Sequence, residues 1–286
     1  MEIRTSADLR RALAGLGTAP LLVVLCDDGA ELVSTLDHHI KAGMQHILLA
    51  LAPGVAPPAP LPDGVLAWRL EDRPDDMVTA CLNRVIPARP DGAWTGYVHN
   101  AEYLFHPFGE TRRIGELLAF CAEERREALP SIVVDLYPGQ HKPGGPGTDL
   151  TDSWLDRMGY FALDRERPDG PLERQRDLHG GLRWRFEEHV PNDRRRIDRV
   201  SFFRVRKGLT MRPDHTLSIE EMNTWECPWH RSPTAAVASF RAAKALATNP
   251  GSRAVIDGFR WDGSVRFDWR AQQLMDLGFM EPGQWF

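Results

Sequence analysis

The chain has 286 residues, 42% of them apolar and 26% charged, with a formal net charge of -5 at pH 7. These proportions belong to a globular protein with a sizeable core, and the negative balance gives no electrostatic reason to expect a nucleic-acid partner. No stretch reaches the roughly 18 consecutive apolar residues of a membrane span, so a span is not expected.

The apolar run LLVVLC follows Arg4, Arg10 and Arg11. It is too short for a signal-peptide core and reads as a strand. Cys26, Cys81, Cys121 and Cys227 are scattered without Cys-x-x-Cys spacing, which predicts free buried thiols in a reducing cytoplasm.

In chain order, LLVVLC (21–26), HILLAL (46–51), VLAWRL (65–70), WTGYV (94–98) and SIVVDLY (131–137) are short apolar runs bounded by turn residues. That is the pattern of buried strands. Between them Leu32, Leu36 and Ile40 share a helical stripe, as do Met77, Cys81 and Val85, and then Ile114, Leu117, Leu118 and Cys121. Each stripe predicts a helix with one buried face. Strands alternating with helices predict an α/β class with a mostly parallel sheet flanked by helices. One domain accommodates the length, with residues 1–140 as one half and 141–286 as a second half and C-terminal extension.

Residues 92–107, GAWTGYVHNAEYLFHP, read as two short strands bracketing an exposed bend that ends in Glu102. The glycines and prolines of PGQHKPGGPGTD (138–149) predict a loop that serves as a lid. Residues 162–198 are dense in Arg, Asp and Gly and predict an extended excursion. The Arg-rich NDRRRIDR (192–199) either meets a phosphate or forms a solvated charged turn. Trp184, Trp225, Trp229, Trp261, Trp269 and Trp285 crowd the second half, where aromatic faces either stack on sugars or pack a core.

Several site chemistries are excluded by motif. No Gly-x-Gly-x-x-Gly follows the first strand and no Gly-Lys-Ser/Thr phosphate loop exists, against a dinucleotide enzyme or P-loop nucleotidase. A Gly-x-Ser-x-Gly elbow is also missing. Cys227 and His230 have Cys-x-x-His spacing, but a pair without two further ligands reads as structural.

The stretch 92–107 resembles the catalytic segment of family 2-like glycosyltransferases, whose bend carries Asp-x-Asp-Glu. Here His99, Asn100, Ala101 and Glu102 stand in those slots. Residues 21–51 are similar to the opening of the same family, with Asp27 and Asp28 at its Asn-Glu positions and His39 and Gly43 at its helix end. Residues 198–218, with His215, and 227–246, with His230, are similar to two later segments of the family, in family order. The connector APGVAPPAPLPDG departs from the pattern, because Asp63 is its only acid.

The resemblance implies a GT-A-like fold and transfer of a sugar from a nucleotide-sugar donor to a hydroxyl on a glycan acceptor, as in surface polysaccharide synthesis. It implies donor-binding roles for Asp27, Asp28, His215 and His230, and a catalytic role for Glu102. It also implies a divalent metal, manganese or magnesium, at His99 and Glu102, weakened by the loss of the Asp-x-Asp acids. His99 is either such a ligand or a packed polar group. Asp28 either contacts a nucleobase or ribose or, with Asp27, caps the following helix, and His39 is expected as a hydrogen bonder at a helix end.

A base for the acceptor hydroxyl is sought among Asp149, Asp152, Glu220 and Glu221, with Asp152 first because it follows the loop and precedes WLDRMGYF, a segment it alternatively caps as a helix. The alternative reading is a catalytically inactive relative that binds a glycan, nucleotide or protein partner.

Overall fold

A computed structural model describes residues 2–142, 144–168, 170–225 and 232–285. In chain order the elements are β1 (Glu2–Ile3), α1 (Ser6–Ala14), β2 (Leu21–Cys26), α2 (Leu32–Lys41), β3 (Ile47–Leu51), β4 (Val65–Arg69), α3 (Met77–Val85), β5 (Trp94–His99), β6 (Glu102–Phe105), α4 (Ile114–Glu123) and β7 (Ala128–Pro138). They continue with β8 (Ser153–Asp156), β9 (Phe161–Arg167), β10 (Gly170–His179), α5 (Gly181–Arg185), β11 (Asp198–Arg204), β12 (Ala235–Ser239), α6 (Arg241–Thr248), α7 (Pro250–Arg253), β13 (Ser264–Arg266) and α8 (Ala271–Asp276). The residues group into two compact units interleaved along the chain. The first runs to Asn100 and adds Arg112–Pro130 and Val200–Asn223, and the second takes Ala101–Thr111, Ser131–Arg199 and the chain from Thr224.

The first unit is an α/β layer built on a parallel sheet of order β1-β4-β3-β2-β5, with β11 added antiparallel to β5. Every residue of β2, β3 and β5 is buried, as happens when both faces of a parallel sheet are covered. Val24 pairs with Leu49 on one side and Val98 on the other. The helices obey the predicted stripes on α3 and α4, whose Met77, Cys81 and Val85, and Ile114, Leu117, Leu118 and Cys121, are all buried.

On α2 the buried face is rotated from the expected one. Leu32, Thr35, Leu36 and His39 are inside, while Ile40 is 37% exposed. His39 tolerates burial because its Nδ1 lies 2.7 Å from the Thr35 carbonyl oxygen, the helix hydrogen bond expected of it. Gly43, just past the helix, has φ +97, and an added Cβ would lie 3.0 Å from Arg113 Cβ. Asp76 caps α3 through the amides of Val78 and Thr79.

In the second unit β12 lies between β7, to which it is parallel, and β6, to which it is antiparallel. β8 joins β7 antiparallel and β13 joins β8. Tyr103, Phe105, Leu136, Phe240, Phe267, Leu274 and Phe279 fill one core cluster. Tyr137, Leu182, Leu246, Ile256 and Phe259 fill another. The predicted excursion is an antiparallel ribbon, β9 with β10, in which Phe161 pairs with His179.

Three expectations are corrected. The segment opening at Ser153 forms strand β8 rather than a helix, so Asp152 caps no helix there. The bend between β5 and β6 is buried, with Asn100 and Ala101 fully inside. The glycine-rich loop is pinned down rather than built as a lid: Gly144 N–H donates to the Ala247 carbonyl at 3.2 Å. A Cβ at Gly147 would fall 2.6 Å from Lys244 Cα, so the loop backbone rests directly on α6.

Candidate functional site

The first unit contains a topological switch point. From β2 the chain winds through α2 to β3 and on to β4, all on one side of β2; it then crosses through α3 to β5 on the other side. Where strand order reverses, the loops after the two neighbouring strands diverge and leave a crevice outside their carboxyl ends, the place where open α/β sheets take ligands. Cys26 ends β2 and His99 ends β5. Asp27, Asp28, His99 and Asn100 therefore meet at this crevice by topology alone.

Asn100 organises the group. Its Nδ2 donates to Asp28 Oδ1 at 2.6 Å and to the Ala30 carbonyl at 2.8 Å, and its Oδ1 accepts from the Asp27 amide at 3.3 Å. A buried amide is tolerable when donor and acceptor are both matched. Asp28 Oδ1 also accepts from the Ala30 N–H at 2.9 Å, and this short turn, rather than a helix cap, is its local role. The N-cap of α2 is Glu31, held at φ +53. His99 Nδ1 lies 3.6 Å from Asp27 Oδ2. Ala101 adopts φ +60, a left-handed conformation that costs a non-glycine residue about 1–2 kcal/mol and is retained where the surroundings demand it.

His215 lies elsewhere in the same unit. At φ +59 its Nε2 is 3.0 Å from Asp76 Oδ1, on the cap of α3. Burial works against the charged form of Asp76, but the His215 ring and the Thr79 hydroxyl and amide outweigh it and hold the carboxyl well below its ordinary value. His215 thus braces a helix N-terminus. His230 and Cys227 lie outside the described residues.

Glu102 opens β6 in the second unit and is fully buried. Arg199 grips it with two bonds, Nη1 to Oε2 at 2.6 Å and Nη2 to Oε1 at 3.1 Å, and Ser239 Oγ donates to Oε1 at 3.0 Å. Glu102 follows the end of β5 by three residues, begins β6 and lies beside Ser239, the last residue of β12.

The register continues this polar row. Ser239 pairs with Asp135 of β7. Asp135 is one residue before Leu136, which pairs with Leu155, so the antiparallel count sets Asp156 of β8 opposite Asp135. Asp156 pairs with Ser264 of β13. Direct cross-strand partners share a sheet face, so Glu102, Ser239, Asp135, Asp156 and Ser264 form one polar stripe.

Each carboxylate of the stripe has an arginine. Arg183 Nε donates to Asp135 Oδ1 at 3.2 Å, and Arg185 Nε donates to Asp156 Oδ2 at 2.7 Å. Asp156 also receives the Tyr137 hydroxyl and, at 2.7 Å, Trp261 Nε1. Burial pushes the Asp135 carboxyl up, against the opposing pull of Arg183.

Of the remaining candidate bases, Asp149 and Asp152 sit in a loop, and Glu220 and Glu221 open a short 3-10 helix. Asp149 accepts from the Thr151 amide and hydroxyl and from the Asp152 amide, so it builds its own turn. Asp152 is partly exposed; its Oδ1 accepts from Trp154 Nε1 at 2.9 Å and lies 4.0 Å from Arg266 Nε. In the first unit Glu220 Oε1 accepts from Arg212 Nη2 at 2.6 Å, and Glu221 is exposed.

Sequence reasoning did not find Asn100 as a brace or Arg199, Arg183 and Arg185 as partners of buried acids. The signal for Arg199 lay in the very run 192–199, read as phosphate-binding or solvated. Its other members divide: Arg195 donates to the Glu187 carbonyl at 2.7 Å, while Arg196 Nη2 meets Asp198 Oδ2 at 2.6 Å. Neither protein-family models nor curated proteins match this chain.

Proposed function

We propose that this chain is a glycosyltransferase of GT-A-like fold that takes a nucleotide-sugar donor at the switch point of its first unit and moves the sugar to a hydroxyl of a glycan acceptor. The observation that carries the reading is the convergence of Asp27, Asp28, His99 and Asn100 outside the carboxyl ends of β2 and β5. Asp28, pre-oriented by Asn100 and the Ala30 amide, is an acceptor suited to ribose hydroxyls or a base edge. Such a fixed group loses little freedom when a ligand binds.

The ligand role of Glu102 in a metal site does not fit its surroundings, because Arg199 and Ser239 already engage both its oxygens. His99 and Asp27 fit better. Their Nδ1 and Oδ2 atoms, 3.6 Å apart, form a mixed nitrogen and oxygen pair, a donor set that suits manganese better than magnesium. A cation held there by His99 and Asp27 would neutralise charge on a donor diphosphate.

In the transfer itself the acceptor oxygen attacks the anomeric carbon and the bond from that carbon to the diphosphate breaks. The electron pair leaves with the nucleoside diphosphate, and the hydroxyl proton passes to a carboxylate.

A second reading, an inactive relative that binds glycan, nucleotide or protein, is favoured by the commitment of Glu102 to Arg199. Release of nucleoside diphosphate from a panel of sugar nucleotides separates the two. Turnover by the wild type that Asp28→Ala lowers at least tenfold supports transfer from a donor held at the switch point. Donor binding without turnover supports the second reading, and turnover indifferent to Asp28→Ala removes the donor from the switch point.

A further inference from the structure

The short helix α5 presents a tryptophan outward by anchoring both of its neighbours inward. Arg183 is bonded to buried Asp135 through its Nε at 3.2 Å and its backbone N–H at 3.3 Å. Arg185 is bonded to buried Asp156 through Nε at 2.7 Å and Nη2 at 3.3 Å, and its Nη2 also reaches the Phe259 carbonyl at 2.6 Å. With both neighbours fixed, Trp184 between them is left 43% exposed. The indole is also backed from below. Gly159 has φ +88, and a Cβ there would come within 3.0 Å of the Trp184 ring, so the ring lies against bare backbone.

Phe161, 42% exposed, meets Trp184 edge to face with centroids 6.1 Å apart. His179, its cross-strand partner, stacks on it at 5.2 Å and 20°. Three rings thus form a rigid aromatic corner on the surface of the second unit. Holding large rings in water on a pre-ordered frame is costly unless a ligand covers them.

The size of the surface selects the class of ligand. With Leu163, two residues along the same face of β9 and also exposed, the exposed side-chain area is on the order of 300 Å², taking ~200 Å² per large side chain at nearly half exposure. A specific protein interface needs about 800 Å² per partner, whereas two or three sugar rings need less. Acids and bases are mixed on the neighbouring strands, with Asp164, Glu166 and Glu173 beside Arg167 and Arg174, so no single-signed field recruits a charged membrane. A pyranose ring offers an apolar C–H face to an indole and hydroxyls to a mixed polar rim.

We propose that Phe161, His179 and Trp184 form a stacking subsite for pyranose units of a glycan chain. The proposal deepens the acceptor part of the functional reading, yet the subsite binds glycan without donor, metal or turnover.

The test is titration of the full chain, without nucleotide, with hexasaccharides of glucose, galactose, mannose and N-acetylglucosamine units, followed by tryptophan fluorescence and calorimetry. At least one should bind, and Trp184→Ala and Phe161→Ala should each weaken it tenfold or more while Trp184→Phe retains part of the affinity. Asp28→Ala, at the switch point, should leave glycan binding unchanged, which keeps failure of the donor reading distinct from failure of this one. Unchanged melting temperatures certify that the variants fold. Binding by none of the glycans, equal binding by wild type and Trp184→Ala, or a dimer in sedimentation that Trp184→Ala converts to monomer would each overturn the proposal.

Discussion

Replacing Arg199 by Met is the sharpest perturbation of this structure, because it removes the guanidinium from a carboxylate that has no access to water. Glu102 is fully buried, the Arg199 side chain is 11% exposed, and the two share bonds of 2.6 and 3.1 Å. Removing one partner of a buried, hydrogen-bonded pair costs about 3–5 kcal/mol, and only the Ser239 hydroxyl remains among the contacts described above for Glu102. At roughly 2–4 °C per kcal/mol for a chain of this size, Arg199→Met should melt about 6–20 °C lower.

Glu102→Gln keeps shape and one acceptor but strands the guanidinium, so it should also destabilise, by about 2–4 kcal/mol. A uniform melting temperature in Glu102→Gln, the natural expectation for an exposed catalytic acid, is thus not expected here. In the double variant Glu102→Gln/Arg199→Met no charge is stranded, and the loss should be less than the sum of the single losses by about 2 kcal/mol or more. Thermal melts and urea titrations of the four proteins give the cycle. Additive losses, or single losses below about 1 kcal/mol, would refute the reasoning that this pair is a coupled, desolvated unit.

The cap at α3 gives a pH prediction. The carboxyl of Asp76 is depressed in the folded state, so its stabilisation is fully present above its unfolded value near 3.8 and is lost as the pH falls through the lower folded value. His215→Ala should make acid unfolding begin at higher pH, seen by circular dichroism between pH 5 and 2, and an unchanged profile would deny the His215 contact. For the metal, calorimetry with manganese without nucleotide should show weak binding that His99→Ala removes, whereas tight binding indifferent to His99→Ala would locate the ion elsewhere. Gly64 has φ +75, and a Cβ there would lie 2.0 Å from the Gln45 carbonyl oxygen, so Gly64→Ala should cost about 2 kcal/mol or more, with a small effect on the melt counting against this close approach of the segments that enter β3 and β4.

The strands and helices of the first unit were legible because burial on both sheet faces writes continuous apolar runs, as in LLVVLC and HILLAL, and one-sided burial writes stripes such as Met77, Cys81 and Val85. Legibility failed where a polar group is buried with a distant partner. His39 displaced Ile40 from the inner face of α2 because a backbone carbonyl one turn back satisfied it, which hydropathy does not register. The bend at 100–101 looked solvent-facing because its residues are polar or small, yet Asn100 satisfies itself against Asp28 and Ala30.

Arg199 and Glu102 are separated by 97 residues, so neither local spacing nor charge counting joins them. The stripe from Glu102 to Ser264 emerges only from the cross-strand register of five strands. The meeting of Asp27 with His99, by contrast, was implied once both were placed at strand ends. What the sequence lacked was the strand order that makes β2 and β5 neighbours.

The central claim is that a sugar nucleotide binds at the carboxyl ends of β2 and β5. Calorimetric titration of the wild type and Asp28→Ala with uridine, guanosine, thymidine and cytidine sugar nucleotides, with manganese present, tests it most directly. One donor should bind the wild type and bind Asp28→Ala at least tenfold more weakly, at a melting temperature within a few degrees of wild type. Binding of no donor to the wild type, or of one donor equally to both proteins, would contradict the claim.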